Sequence, residues 1–421
     1  MPPREIVLES LDLSDFIRAG DGIVWGQTAA EPVALTRSLI AQRYKIGPVS
    51  AFIGATWSDV AHPDHTDTIR FLSYCATAAN RVLVAAGKLE VTRCHYSALA
   101  EQFRRGSLPS DVVMLQVSLD EQTSKVSFSL ANEYLLPVLD RARVVIAEVN
   151  DCAPWTYGEK NLSLDKIDAI VHTSRPMVLP PPTLVGGSML AVARNVASLI
   201  DDGDVLQFGI GSLPEAVLGQ LHDRRNLGIH SGAFLDSAAV LCESGVVNNS
   251  TKKRDTGVSV VGVVMAGERG CRHVHRNPAV RLRSVEYTHA ADVLASIDRF
   301  VAINAALEVD LAGNVNSELA GSAYVGAVGG APDFLHGATL ASKGKSIVAL
   351  PATAGRGEAL TSRIVPRLFC PVSTDGRDVG FVVTEYGVAD LRRQSARERA
   401  MRLVQVAAPE FRESLTREIP P

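Results

Sequence analysis

The stretch Leu199-Ile200-Asp201-Asp202-Gly203-Asp204-Val205-Leu206-Gln207-Phe208-Gly209 decides the fold, because its pattern also occurs 183 residues earlier. There Phe16-Ile17 stand where Leu199-Ile200 do, Gly20-Asp21 where Gly203-Asp204 do, and Gly26 where Gly209 does. Each copy reads as the end of a helix, a turn on Gly-Asp and a short apolar strand (Gly22 to Trp25; Val205 to Phe208). A glycine loop and a new helix follow, the helix starting at Glu31-Pro32 or Leu213-Pro214, where proline suits a first helical turn. A duplicated strand, loop and helix implies two homologous α/β halves.

Working outward, the proline cluster Met177-Val178-Leu179-Pro180-Pro181-Pro182 can continue neither a helix nor an inner strand. It places a boundary at about residue 185, giving an N-terminal domain over 1–185 and a C-terminal domain over 186–421. Runs rich in Val and Ile (Asp111 to Val117, Arg143 to Val149, Gly257 to Met265, Phe300 to Asn304, Ser346 to Leu350, Val379 to Thr384) alternate with helical patterns. That alternation predicts two tandem open, mostly parallel sheets covered by helices.

The 421 residues exceed what one hydrophobic core usually organises. With 46% hydrophobic and 21% charged residues the composition is that of a globular enzyme. A net charge of -4 gives no general attraction for nucleic acid or an anionic membrane, so an anionic ligand must be held locally. Met1-Pro2-Pro3-Arg4-Glu5 lacks the basic start and apolar run of a signal peptide, and the six cysteines are scattered without a CxxC pair. Both point to the cytoplasm.

Three segments carry candidate chemistry. Val205 to Leu218 contains Gly209-Ile210-Gly211 between a strand and a helix start, where backbone N–H groups favour an anion. Pro214 stands where a dinucleotide fingerprint wants a third glycine, which disfavours NAD, and a tight βα turn explains the segment equally well. In Gly326-Ala-Val-Gly329-Gly330-Ala-Pro-Asp-Phe334 three glycines let backbone approach a ligand and present N–H groups to an oxyanion. Lys343, Lys345, Arg356 and Arg363 flank a buried strand and supply cations suited to phosphates, or are solvated surface charge.

His62, Asp64, His65 and Asp67, and Cys271, His273 and His275, superficially resemble ligand clusters, but neither has a metal spacing. The second lies in an Arg-rich stretch that reads as a loop. No metal is expected. His230, in Gly228-Ile-His-Ser-Gly-Ala-Phe-Leu-Asp236, reads as structural on these residues alone.

Together the segments resemble the acetyl-CoA hydrolase/transferase family, which includes 4-hydroxybutyrate, butyrate and succinate:acetate CoA-transferases. The resemblance rests on Phe208 to Leu218, Ser284-Val-Glu-Tyr-Thr-His289, Ala302 to Ser317, Gly329 to Phe334, Ser342 to Pro351 and Val383 to Arg392. Asp111 to Ser118 and Ala147 to Asn150 match less strongly.

It implies two α/β domains across a cleft, coenzyme A bound as a substrate thioester largely by the second domain, and a homodimer or higher homo-oligomer with no nucleic acid or membrane partner. Family chemistry is covalent: a glutamate attacks the acyl-CoA, forms an acyl-glutamyl anhydride, and then carries CoA as a glutamyl thioester. That glutamate lies in a His-Thr-Glu-like run. Here the run is His230-Ser231-Gly232, followed by Asp236 and Glu243-Ser244-Gly245, so Gly232 stands at the nucleophile's position. Gly330-Ala331 also departs from the family, which often has Gln or Ser after the glycine pair.

The expectation is therefore an acyl-CoA-utilising enzyme that works without the glutamyl anhydride, by hydrolysis, acyl transfer, cyclisation or decarboxylation. His230, Ser231, Asn304 and Glu308 are the catalytic candidates, and Gly209, Gly211, Gly329, Gly330, Lys343, Lys345 and Arg356 the oxyanion and CoA-binding ones. Two alternatives are an ordinary CoA-transferase that uses Glu243 or Glu286, and a non-catalytic CoA-binding paralogue.

Overall fold

The computed structural model describes residues 2–181 and 186–419, so the boundary at 185 lies outside the described residues. By its contacts the chain forms two units, Met1–Pro181 with Val260–Thr288, and Pro182–Ser259 with His289–Pro421. Residues 260–288, which a linear division assigns to the second half, thus belong to the first unit. Backbone pairing holds them there: Asn132 N–H donates to the Gly262 carbonyl (3.0 Å), Val264 N–H to that of Leu130 (2.8 Å), and Arg281 pairs in parallel with Tyr157.

The first unit's main sheet runs in the order Arg4–Glu5, Ala169–Thr173, Val144–Asn150, Val112–Asp120, Gly22–Trp25, Val49–Ile53, Ile69–Ser73, Leu89–Val91, every neighbouring pair parallel. The second unit's sheet runs Gly228–Ile229, Val205–Phe208, Phe300–Ala305, Lys345–Ala349, Phe381–Thr384, Gly387–Asp390, parallel except for the last hairpin. The two repeated strands, Gly22–Trp25 and Val205–Phe208, are buried along their whole length, as strands covered on both faces must be. That is why their sequences are continuously apolar rather than alternating.

The repeat has a physical basis. Gly20 and Gly203 adopt φ +91° and +80°, a left-handed turn that glycine takes without a steric penalty. The aspartate that follows each turn accepts from the N–H three residues back: Arg18 to Asp21 (2.7 Å) and Asp201 to Asp204 (2.9 Å). Each carboxylate then meets a cation that precedes another strand of its sheet, Arg143 (2.5 Å) or Arg299 (2.8 Å). The copies differ upstream. In the second, the 11-residue helix Gly187–Ala197 precedes the turn, whereas in the first a single 3-10 turn, Leu13–Asp15, replaces the expected helix.

Asp204 is almost fully buried and also accepts from Lys345 Nζ (3.1 Å). Asp204→Ala is expected to destabilise the second unit by roughly 2–3 kcal/mol, the scale of hydrogen bonds to charged groups, a loss readable by urea unfolding. Among the described residues, no helix is long and apolar enough to cross a membrane.

Candidate active site

Ligands of open α/β sheets gather beyond the carboxyl ends of the parallel strands. In the second unit, Gly209 and Gly211 follow Val205–Phe208, His230 to Gly232 follow Gly228–Ile229, and Asn304 lies at the end of Phe300–Ala305. These three strands are adjacent, so Gly209, Gly211, His230, Ser231, Gly232 and Asn304 share one sheet edge.

Their side chains are tied to one another. Asn304 Nδ2 donates to Gln207 Oε1 (2.9 Å) and Gln207 Nε2 returns a bond to Asn304 Oδ1 (3.2 Å). A Cβ on Gly209 would stand 3.4 Å from the same Asn304 oxygen, so glycine keeps the loop close to the amide. Ser231 is fully buried and donates from Oγ to the Phe208 carbonyl (3.2 Å), which makes it a brace between two strand ends. His230 is also fully buried and sits edge-on to Phe300, with ring centroids 6.3 Å apart. Glu308 accepts from Asn316 Nδ2 (2.8 Å).

Around Gly232 the structure assembles side chains that sequence reasoning passed over. A Cβ built there would lie 3.5 Å from Cε1 and Nε2 of His289 and from Phe334. His289 packs at a tilt on Phe334, with centroids 4.3 Å apart, and Phe334 in turn lies 6.5 Å from Phe300. His230, Phe300, Phe334 and His289 thus form a continuous aromatic run. Burial pushes the His289 imidazole down to about 4 against the opposing pull of Asp333, so it is neutral at pH 7.

The three glycines of the second loop serve different ends. A Cβ on Gly326 would come within 1.9 Å of the Ser317 carbonyl oxygen, a packing requirement. Gly329 has φ +60°. At Gly330 a Cβ would fall 2.5 Å from His289 Nε2, so only glycine leaves room for the imidazole. The 10-residue helix Ala331–Leu340 starts directly afterwards, with Pro332 in its first turn.

Two expectations need correction. Lys343 and Lys345 lie at the start of the strand Lys345–Ala349, the opposite edge from the glycine loops. Lys345 is engaged by Asp201 (2.7 Å), Asp204 and the Leu199 carbonyl (2.7 Å), and so stabilises the repeat's buried aspartate rather than a phosphate. Arg356 follows that strand on the ligand edge and is exposed. Cys271 and His273 lie on the helix Glu268–Val274 rather than in a loop, because Gly267 and Glu268 begin a regular turn there. Among the described residues no group of three His, Cys, Asp or Glu side chains could hold a metal ion.

The first unit holds a buried polar centre that no motif announced. Glu133 Oε2 accepts from Tyr96 Oη (2.6 Å) and Gln27 Nε2 (2.8 Å), and Gln27 Oε1 accepts from Tyr74 Oη (2.8 Å). Thr28 beside it adopts φ +51°, a strained conformation for a β-branched residue. Burial raises the Glu133 carboxyl to about 7, with Tyr96 and Gln27 opposing the shift.

Duplicated parallel sheets with glycine loops on the ligand edge define an open α/β protein whose ligand site lies at the strand ends. The chain matches the acetyl-CoA hydrolase/transferase N-terminal domain over residues 4–179 and the C-terminal domain of the same description over 268–419. It belongs to the acetyl-CoA hydrolase/transferase family.

It is 36% identical over 400 residues to the 4-hydroxybutyrate coenzyme A transferase of Clostridium kluyveri, covering 94% of this chain and 93% of that protein. It is 31% identical over 419 residues to the succinyl-CoA:cyclohexane-1-carboxylate CoA transferase of Geobacter metallireducens, covering 98% and 94%. The crystal structure of RipA from Yersinia pestis superposes with a TM-score of 0.92 at 31% identity, covering 99% of this chain and 96% of that one. The protein is thus a CoA-transferase/acyl-CoA hydrolase-like enzyme acting on CoA thioesters.

Proposed function

We propose that this enzyme transfers or hydrolyses the acyl group of a CoA thioester by direct attack of the acceptor, water being the simplest, without an anhydride to a glutamate of the chain. The observation that carries this reading is Gly232. The resemblance to the family's His-Thr-Glu-like run puts it at the nucleophile's position, and the side chains nearest to it are His289 and Phe334, neither a carboxylate. Glu286, a carboxylate that could substitute, is held by Arg104 (2.5 Å). Glu243 ends the helix Asp236–Glu243 and is exposed.

A single displacement still gains from positioning and from oxyanion stabilisation, which together supply much of an acyl-transfer rate. Gly211, Gly329 and Gly330 provide backbone N–H groups for the thioester and the nearby CoA segments, with Arg356 on the same edge, whereas the Gly209 N–H is taken by the Ile303 carbonyl (2.9 Å) and Gly209 serves by its lack of a side chain.

The test is CoA release from a panel of acyl-CoAs with and without carboxylate acceptors, combined with borohydride trapping. Turnover without a trapped glutamyl adduct is the expected result. An adduct on Glu243, Glu286 or any other glutamate would instead establish an ordinary transferase, and absence of any turnover would leave a CoA-binding paralogue.

A further inference from the structure

Resting on that reading of Gly232, we propose that His289 donates a hydrogen bond from Nε2 to the thioester carbonyl oxygen and, with the backbone of Gly329 and Gly330, forms the oxyanion site.

Placement is the first argument. The Cε1–Nε2 edge of the imidazole faces both Gly232, at 3.5 Å from its Cβ position, and Gly330, where Nε2 is 2.5 Å from the Cβ position. The vacated nucleophile position and the glycine loop therefore border the same ring edge. Any side chain at Gly330 would collide with the imidazole where it stands, so this placement of His289 depends on the glycine. Orientation is the second argument: His289 is 5% exposed and its ring is fixed against Phe334, so a donor here needs little reorganisation when charge develops.

Chemical state is the third. Asp333 is the charged group that opposes the burial shift, and it does not overcome it, so the ring stays uncharged through the physiological range. A neutral imidazole of such low basicity is a poor proton acceptor but retains one N–H donor, the state suited to polarising a carbonyl.

In hydrolysis the water oxygen bonds to the thioester carbon while its proton passes to solvent, and the carbonyl π electrons become the oxyanion held by His289, Gly329 and Gly330. Collapse of that oxyanion breaks the C–S bond. The CoA thiolate takes a proton from solvent, leaving a carboxylic acid and free CoA. His289 neither gains nor loses a proton overall.

The experiment compares His289→Ala with His289→Asn, whose amide still donates but does not act as a base. Loss of one oxyanion donor should lower kcat roughly 10²–10³-fold in His289→Ala with KM little changed, while His289→Asn stays within about tenfold of the wild type. Should the alanine variant not fold, judged by its melting temperature and CoA binding, His289→Leu fills the same volume without an N–H and takes its place.

Full activity in the donor-free variant, or an asparagine variant as inactive as alanine, overturns the proposal, the latter in favour of a base. A wild-type protein that turns over no acyl-CoA overturns the reading of the site and this inference together. An active wild type with an indifferent His289 overturns this inference alone.

Discussion

Gly232→Glu is expected to give the protein a covalent intermediate, with borohydride or hydroxylamine trapping an adduct on residue 232 and CoA transfer to a carboxylate rising roughly 10²-fold or more. The backbone permits the change, since Gly232 is absent from the glycines with positive φ. The surroundings permit it as well: the new Cβ would make ordinary van der Waals contacts, at 3.5 Å, with His289 and Phe334. The strand end that carries it is braced by Ser231 and His230, which hold the segment as they do with glycine.

A gain of function is a stricter test than a loss, because few structural accidents create a trappable thioester. A folded, CoA-binding Gly232→Glu protein without an adduct would place the family's nucleophile elsewhere in this chain. Peptide mapping of the reduced species separates residue 232 from Glu243, the next glutamate along.

What the sequence revealed and what it hid follow from the range of the interactions. The Gly-Asp repeat was visible because one positive-φ glycine and one carboxylate accepting from three residues back are local devices, and they recur at Gly20-Asp21 and Gly203-Asp204. Buried parallel strands announce themselves as apolar runs, and Val112–Asp120, Val144–Asn150 and Phe300–Ala305 lie where those runs do.

The return of residues 260–288 to the first unit was hidden, since it depends on Arg281 finding Tyr157. Charge was misleading at Lys345, because a lysine beside a strand does not say which sheet edge it occupies or that Asp204 lies beneath it. His289 ends the stretch Ser284-Val-Glu-Tyr-Thr-His289, where nothing local marks it as functional. Its importance comes from facing Gly232 and Gly330 at once, and three distant stretches must fold before that is true.

Stability should fall as pH rises through the weakly acidic range on account of Glu133, and Glu133→Gln should abolish that part of the dependence. The ordinary carboxyl value is 4.5, and burial raises Glu133 to about 7, as it does Glu31. Between those two values the folded chain binds a proton that the unfolded chain has lost, so the stabilisation is fully present below about 4.5 and is lost as pH rises through about 7. A shift of that size is worth about 3 kcal/mol for each carboxyl.

His289 works in the opposite sense. Its folded value, near 4, lies below the ordinary 6.5, so its contribution improves as pH rises between them. The wild-type profile therefore mixes falling terms from Glu133, Glu31 and Glu215, whose carboxyl burial also raises, with a rising one from His289, and the informative quantity is the difference between variant and wild type. Tyr96 and Gln27 can still donate to the carboxamide oxygen at position 133, which preserves the packing of the polar centre.

Relative to wild type, Glu133→Gln should gain about 2.4 kcal/mol between pH 5 and pH 7.5, measured by urea unfolding at each pH. The absolute offset is set by the amide nitrogen, which replaces an oxygen that has no hydrogen-bond partner, and burying it unsatisfied costs about 1–3 kcal/mol at every pH. A pH-independent difference would mean that Glu133 is ionised in the folded protein throughout this range, with Tyr96 and Gln27 outweighing its burial.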